Sequence, residues 1–277
     1  MAEGELGFHH DTVRAARLLQ QKKHRQERRC FLIEGVQLLG DALDAGTGVE
    51  RVFALRDELS DELLARLNQA QVSIHVVDRR TIDSLAQTQA PQGIVAVAGF
   101  LHHDIAELPA LVPPSSPTTV LVLPNLSDPG NAGTLIRAAE AFGAASVCFG
   151  PHTVEPYNAK VVRASMGSIF RVQIVGFTSW EMLATQARAA HLAIVGSGTD
   201  GVDVRSVTLP ARVALVVGQE RRGLAQIPVG DFERILAIPQ TTAVESLNAS
   251  VAGAILLYEL ARAHGLLGPA HARTNDT

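Results

Sequence analysis

Three segments in the second half of the chain combine polar side chains with the turn residues that follow strands in α/β proteins. The first comes after the strand-like run Val120–Leu123 and passes through Asp128-Pro129-Gly130-Asn131, residue types that favour turns and helix caps. Apolar residues then recur at helical spacing, at Ala132, Leu135, Ile136, Ala139 and Phe142. Arg137 lies about 150° from the centre of that stripe. We therefore expect its guanidinium to face a surface or cleft at a strand end, where α/β proteins bind ligands.

The two later segments also follow β-type runs. The run that includes Val216 and Val217 stops at Gly218, and the charged turn Gln219-Glu220-Arg221-Arg222 follows. After Ile238-Pro239, a short loop leads to a helical pattern over Ser246–His264. This helix opens with Ser246, Asn248 and Ser250, more polar groups than one cap requires. Taken alone, a solvated turn or a capped helix is the simpler interpretation of each segment.

The elements around these segments predict a mostly parallel α/β sheet with helices on both faces, because strands and helices alternate. The predicted strands of the second half are Val120–Leu123, Ser146–Phe149, Val172–Ile174, Leu192–Val195, Ala214–Val217 and Ile235–Ile238. A smaller αβ unit precedes them, and Leu101–Thr119, which contains four prolines, has the composition of a linker.

Length and composition narrow the class of protein. A chain of 277 residues has room for two domains, and its net charge of −4 leaves a local basic patch free to bind nucleic acid. Such a patch is present at Lys22, Lys23, Arg25, Arg28 and Arg29. Cys30 and Cys148 form no disulfide framework, and no signal peptide or membrane span is recognisable. We therefore expect a cytoplasmic protein.

Two other patterns are weaker. Gly196–Gly201 fits G-x-G-x-x-G after a strand, but Val202–Pro210 has no helical stripe, and a dinucleotide site needs a helix there. His9-His10 and His102-His103 have no further ligands at metal spacing, so we expect no metal.

Together and in this order, the three segments resemble the signature motifs of the SpoU/TrmH-type RNA ribose 2′-O-methyltransferases of the SPOUT superfamily. The family pattern N-x-G-x-x-x-R corresponds to Asn131–Arg137, and G-x-E-x-x-G-L corresponds to Gly218–Leu224. The I-P and S-L-N-x-S patterns correspond to Ile238-Pro239 and Ser246–Ser250. The intervening stretch Lys160–Phe170 is also similar to the family, and the resemblance spans residues 118–264.

The N-terminal part resembles an L30-like substrate-binding domain through Phe31–Gly35 and Pro91–Ala96. The resemblance thus implies an L30-like RNA-binding domain at 1–105 and a SPOUT catalytic domain at 119–267. Composition and position predict a Pro-rich linker at 106–118 and a disordered tail at 268–277. The resemblance also implies a structured RNA substrate, with 23S ribosomal RNA as first candidate. The RNA-binding candidates are Lys22, Lys23, Arg25, Arg28, Arg29 and Arg163.

The family's fold adds a C-terminal trefoil knot to the sheet, and its reaction transfers a methyl group from S-adenosylmethionine to a ribose 2′-hydroxyl. By resemblance, the catalytic candidates are Arg137, Asn131, Glu220, Ser246 and Asn248. The cofactor-binding candidates are Leu123, Gly218, Gln219, Glu220, Ile238, Gln240, Ser246 and Leu247. A homodimer is implied as well, with the small-residue face of Ser246–His264 as its expected contact.

The role of Arg137 has two physically acceptable forms, since arginine is effectively never deprotonated in proteins. It could clamp a substrate phosphate or stabilise developing charge on the ribose oxygen, with Glu220 orienting its guanidinium.

The chain departs from the family's I-P-M-x-G pattern, because Gln240 and Thr242 replace the methionine and the glycine. This difference concerns the shape of the loop after Pro239, which the resemblance places at the cofactor. Two alternatives remain. The substrate could be transfer RNA, or the chain could be a non-catalytic RNA-binding protein with the same fold.

Overall fold

A computed structural model of the chain describes residues 3–218, 224, 227–241 and 246–268. Its first strands are β1 (Glu3–Leu6), β2 (Cys30–Glu34), β3 (Val49–Ala54), β4 (Ser73–Val77) and β5 (Ile94–Gly99). The helices among them are α1 (Asp11–Leu18), α2 (Lys22–Arg28), α3 (Val36–Asp44), α4 (Asp61–Gln69) and α5 (Arg79–Leu85).

The later part of the chain continues the alternation. Its strands are β6 (His102–Asp104), β7 (Thr118–Leu123), β8 (Ser146–Phe149), β9 (Gln173–Gly176), β10 (Ala193–Asp203), β11 (Arg212–Val216) and β12 (Arg234–Ala237). Its helices are α6 (Leu108–Leu111), α7 (Pro129–Ala141), α8 (Ala159–Ala164), α9 (Trp180–Ala189) and α10 (Ala249–Ala263). Short 3₁₀ helices lie at Arg56–Glu58, Ile105–Glu107, Ser168–Phe170 and Val229–Asp231.

The described residues form two compact units, of which the first comprises residues 3–103, 127–137 and 152–174. Its sheet has the order β1-β4-β3-β5-β2, in which β5 runs antiparallel to both of its neighbours. One core of this unit joins α1 and α5 to the sheet through buried apolar side chains, which include Val13, Ala16, Leu19, Phe53, Ile82, Leu85 and Val95.

The second unit comprises residues 104–126, 138–151 and 175–268 of the described chain. The second sheet has the order β12-β10-β11-β7-β8-β9-β6, and its pairings from β12 to β8 are parallel. Every residue of β7 and β8 is buried, as expected for strands covered on both faces. The predicted mostly parallel α/β sheet with flanking helices is confirmed.

The predicted strands of the second half are found within a few residues of their expected positions. The largest difference is β10, which extends to Asp203 because its pairing with β12 resumes after an irregularity between Ser197 and Val202. In the Pro-rich segment Leu101–Thr119, β6 and α6 are present, and Leu108 and Val112 are buried in the core of the second unit.

Two further observations on the described residues concern the cysteines and the apolar character of the helices. Cys30 and Cys148 are free and buried. In the part of the chain that the structure describes, no helix combines the length and the apolar character needed to cross a membrane.

The glycine of the first motif has a packing function. A Cβ on Gly133 of α7 would meet Cβ of Ala164, and would lie 2.8 Å from the carbonyl oxygen of Val161. Both neighbours belong to α8, so the two helices pack together with no room for a side chain at this position.

Replacing Gly133 by alanine should therefore lower the free energy of unfolding by about 1–3 kcal/mol, the usual cost of overpacking. Thermal denaturation followed by circular dichroism measures this change. Gly230→Ala is the matched control, because a Cβ there has no neighbour within 4 Å among the described atoms. Equal melting temperatures for the two variants would contradict the close packing of α7 against α8.

Candidate active site

Helix α7 begins shortly after β7, and Asp128 caps it. Oδ1 of Asp128 accepts a hydrogen bond from the backbone N–H of Asn131 at 2.7 Å, and its carbonyl accepts from the N–H of Ala132 at 3.1 Å. Pro129 occupies the first helical position, where its missing N–H costs nothing. Asp128 therefore supplies the cap, and Asn131 lies in the first turn of the helix.

The orientation of α7 agrees with the sequence prediction. Ala132, Leu135, Ile136 and Ala139 are fully buried, whereas Arg137 is exposed. Phe142 follows the end of the helix and is half-buried. The apolar stripe thus holds the helix in the protein and directs the Arg137 guanidinium towards solvent, as predicted from the helical period.

The second and third segments leave the sheet at one edge. Strands β7 and β11 are parallel neighbours, with Val122 opposite Val216, so Leu123 and Gly218 lie at the same carboxyl end. Strand β12 is parallel to β10, which is parallel to β11, so Ile238 also follows a carboxyl end at this edge. Three of the cofactor-binding candidates are therefore brought to one edge of the second unit.

The third segment begins its helix later than predicted. The first residue of α10 is Ala249, because Oδ1 of Asn248 caps the helix and accepts hydrogen bonds from the N–H groups of Ser250 and Val251 at 2.9 and 3.3 Å. The hydroxyl of Ser250 donates to the same oxygen at 2.6 Å. Asn248 therefore acts as the cap, and Ser246 precedes the helix as an exposed residue.

The described cofactor-binding candidates suit S-adenosylmethionine in their chemistry. Leu123 is fully buried, and Ile238 and Leu247 are half-buried apolar side chains. Gly218 is half-buried and has no side chain, so a ligand can approach its backbone closely. Gln240 is exposed. Of the remaining candidates, Gln219 and Glu220 lie outside the described residues, as does Thr242.

All but one of the RNA-binding candidates are at least partly exposed. Lys22, Lys23, Arg28 and Arg29 are exposed, and Arg163 is half-buried with a guanidinium nitrogen 4.0 Å from Glu34.

Arg25 is the exception and does not belong to this surface. Only 5% of it is exposed, and its Nη2 lies 2.6 Å from the carboxylate of Glu155, which is also buried. Its Nη1 donates to the carbonyl oxygens of Leu19 and Gln20. Burial removes Arg25 from the proposed phosphate contacts. This ion pair could not be predicted from the sequence, because its partners are 130 positions apart.

The G-x-G-x-x-G segment lies within strand β10, with no helix beginning there. A Cβ on Gly196 or Gly198 would meet the side chain of Ile235, and one on Gly201 would meet its carbonyl oxygen. These glycines permit close packing of β10 against β12, so a packing function explains them without a dinucleotide. No group of metal-binding side chains occurs among the described residues.

Comparison with protein families and known proteins gives one consistent result. The model of the SpoU rRNA Methylase family matches residues 118–258, and that of the MRM3-like substrate binding domain matches residues 10–96.

Individual relatives cover most of the chain. The 23S rRNA (guanosine(2553)-2′-O)-methyltransferase RlmP of Bacillus subtilis is 28% identical over 245 residues, which are 87% of this chain and 92% of that protein. The 23S rRNA (guanosine-2′-O-)-methyltransferase RlmB of Vibrio vulnificus is 28% identical over 215 residues, 76% of this chain and 87% of that protein.

A solved structure agrees with these relatives. The AdoMet-bound rRNA methyltransferase from Sinorhizobium meliloti superposes with a TM-score of 0.83 at 29% identity, covering 96% of this chain and 99% of that one. The family match includes all three motifs, the sheet is of the expected type, and the strand ends suit the cofactor. The chain therefore belongs to the SpoU rRNA Methylase family of S-adenosylmethionine-dependent RNA 2′-O-ribose methyltransferases.

Proposed function

We propose that this enzyme methylates a ribose 2′-hydroxyl of 23S ribosomal RNA. The observation that carries the proposal is the exposed guanidinium of Arg137, on a helix whose opposite face is fully buried and which follows β7 in the chain. The relatives RlmP and RlmB, whose names specify 23S rRNA, support the choice of substrate. The exposed cations Lys22, Lys23, Arg28 and Arg29 supply charge for the RNA backbone.

The chemistry requires little covalent participation by the protein. Bound S-adenosylmethionine would supply a methyl group already activated on a sulfonium and would leave as S-adenosylhomocysteine. The chain therefore has to align the 2′-hydroxyl and stabilise its oxygen while the hydroxyl proton passes to water. The guanidinium of Arg137 stabilises the developing charge on the ribose oxygen, or clamps an adjacent phosphate. Asn131, Glu220, Ser246 and Asn248 are proposed to support this arrangement.

The cofactor is proposed to lie along the edge formed by the ends of β7, β11 and β12. Ile238 and Leu247 would contact its apolar parts, and the backbone around Gly218 would approach it closely. Leu123, which is fully buried, would support the site from within the sheet. Gln219, Glu220, Gln240 and Ser246 complete the proposed set by family resemblance.

A direct assay tests this function. The purified protein and methyl-labelled S-adenosylmethionine are incubated with one RNA at a time: 23S rRNA, 16S rRNA or transfer RNA. Each RNA is taken from cells that lack the gene for this protein, so that its target site is unmethylated. Label in 23S rRNA, at a linkage that resists alkaline hydrolysis, is the expected result. Label in transfer RNA alone would show that transfer RNA, and not 23S rRNA, is the substrate. RNA binding without methylation would identify a non-catalytic binding protein.

A homodimer is also proposed, and α10 offers the surface for it. Val251, Ile255 and Tyr258 are 47%, 36% and 43% exposed and lie four and three residues apart, on one side of the helix. The small residue Gly253 is instead buried within its own unit. The apolar stripe therefore replaces the small-residue face as the proposed contact.

Introducing a charge into this stripe, as in Tyr258→Glu, should convert a dimer into a monomer, because a buried unpaired carboxylate strongly disfavours an interface. Light scattering measures the molar mass. Met182→Glu on α9 is the control, since Met182 is 43% exposed and thus equally accessible. A monomeric unmodified protein would remove the dimer proposal, and a dimeric Tyr258→Glu variant would place the interface elsewhere.

We further propose a C-terminal trefoil knot, two domains and a cytoplasmic location. The family membership supports a C-terminal trefoil knot, and the two family matches support an RNA-binding domain at 1–105 and a catalytic domain at 119–267, joined at 106–118. The proposed tail at 268–277 lies outside the described residues except for Gly268. A cytoplasmic location follows from a ribosomal RNA substrate.

A further inference from the structure

The residue that ends α2 combines an unusual backbone with an exposed guanidinium. Arg29 is the C-cap of this helix in the left-handed region, with φ of 52° and ψ of 37°, where glycine is the usual residue. Gln71, Met166 and His191 share a positive φ, so the backbone alone does not mark a site. What distinguishes Arg29 is its neighbour.

Arg29 lies beside a half-buried aromatic ring. Its carbonyl oxygen accepts a hydrogen bond from the N–H of Phe100 at 2.8 Å, and its guanidinium carbon is 5.9 Å from the centre of the Phe100 ring. This distance is at the outer limit of a cation–π contact. The guanidinium therefore stands next to the ring while it remains exposed to solvent.

The Phe100 ring packs against a buried tyrosine, Tyr157. It stacks on Tyr157 with centres 4.1 Å apart and planes inclined by 17°. Tyr157 is buried, its hydroxyl oxygen accepts a hydrogen bond from the N–H of Leu101 at 2.8 Å, and its ring packs against Phe31. A ring supported in this way loses little conformational freedom when a ligand stacks on it.

The helix that ends at Arg29 carries several exposed cations. Lys22, Lys23 and Arg28 on α2 are exposed like Arg29. The acidic residue of the helix, Glu27, lies 3.9 Å from Lys23 and 3.1 Å from His24, so it offsets part of the charge of the first turn.

We propose that Arg29 and Phe100 form a binding site for an unpaired nucleotide of the RNA substrate, in which the base stacks on Phe100 and Arg29 contacts the adjoining phosphate. This proposal rests on the proposed function. Proteins recognise single-stranded RNA in this way, because an unstacked base presents its flat face to an aromatic ring while cations follow the backbone. If the contact with RNA were purely electrostatic, the cations would suffice and the loss of the Phe100 ring would not weaken binding.

The site is tested by Arg29→Gly and Phe100→Leu, with Arg28→Ala as the control for charge. Binding of a single-stranded oligoribonucleotide and of a duplex of the same sequence is measured, together with KM and kcat for 23S rRNA. We expect both variants to bind the single strand about tenfold more weakly and to raise KM by a similar factor, with kcat unchanged. Arg28→Ala should weaken single-strand and duplex binding equally and only slightly.

Stability separates this site from a structural role. Glycine adopts a positive φ freely, so Arg29→Gly should keep or raise the melting temperature while it loses RNA affinity. Equal single-strand affinity for Arg29→Gly, Phe100→Leu and the unmodified protein would overturn the proposal, as would a loss that Arg28→Ala reproduces in full. The oligonucleotide measurement decides this even if 23S rRNA is not methylated, an outcome that would contradict the proposed function instead.

Discussion

Replacing Arg137 by alanine is expected to lower kcat for RNA methylation by about 10²- to 10³-fold, the range found when one preorganised donor to a developing oxyanion is removed. The affinity for S-adenosylmethionine, measured by calorimetry, should stay near normal. Because Arg137 is exposed, its truncation should change the free energy of unfolding by no more than about 0.5 kcal/mol.

The variant Arg137→Lys separates the possible roles of this residue. Lysine keeps the charge but lacks the planar fork, so a clamp or oxyanion role predicts a large loss of kcat. A general-base role predicts the opposite, because lysine, with a reference pKa of about 10.4, gives up a proton far more readily than arginine. Activity of Arg137→Lys at or above that of the unmodified enzyme would therefore favour the base.

Thr134→Ala provides the control on the same helix, since Thr134 is likewise exposed on α7. Its kcat should be close to that of the unmodified enzyme. If Arg137→Ala instead loses cofactor binding, or if Thr134→Ala loses as much activity, then the assigned role of Arg137 is wrong.

Much of the fold could be predicted because its signals are local. The strands β7, β8 and β11 are short apolar runs with turn residues after them, and a parallel sheet buries such runs on both faces. The direction of Arg137 followed from the helical period alone. Element ends were less certain, as the start of α10 shows, because a serine, an asparagine and a second serine could each have served as its cap.

The parts of the site that depend on distant contacts could not be predicted. Arg25 stands in a basic run, and nothing within that run distinguishes it from Lys22, Lys23 or Arg28. Its burial depends on a carboxylate far along the chain. The support of Phe100 by Tyr157 is hidden for the same reason. Periodicity reports which face of an element is apolar, but it does not report which residues from other segments meet there.

Replacing Arg25 by alanine should destabilise the protein by about 3–5 kcal/mol, because it leaves the carboxylate of Glu155 buried without its counter-charge. The side chains of Arg25 and Glu155 are only 6% and 7% exposed. Arg25 donates through Nε and Nη2 to this carboxylate, and its Nη1 binds the carbonyl oxygens of Leu19 and Gln20 at 2.9 Å. Truncation therefore leaves several buried acceptors without donors.

The melting temperature should fall by about 6–20 °C, since each kcal/mol shifts a chain of about this size by about 2–4 °C. Arg14→Ala is the matched control: Arg14 pairs with Asp11 at 3.3 Å, but the two side chains are 66% and 94% exposed. An exposed pair contributes about 0–1 kcal/mol, so this variant should melt close to the unmodified protein. Similar melting temperatures for the two variants would contradict the buried pair.

The double variant Arg25→Met with Glu155→Leu shows whether the loss in Arg25→Ala comes from the unpaired charge and the cavity or from the missing hydrogen bonds to Leu19 and Gln20. Two apolar side chains of similar length remove both charges together, and such replacements of buried ion pairs are often neutral or stabilising. We expect the double variant to melt well above Arg25→Ala. If it melts as low as Arg25→Ala, then the hydrogen bonds to Leu19 and Gln20 carry the stability, and the ion pair with Glu155 contributes little beyond them.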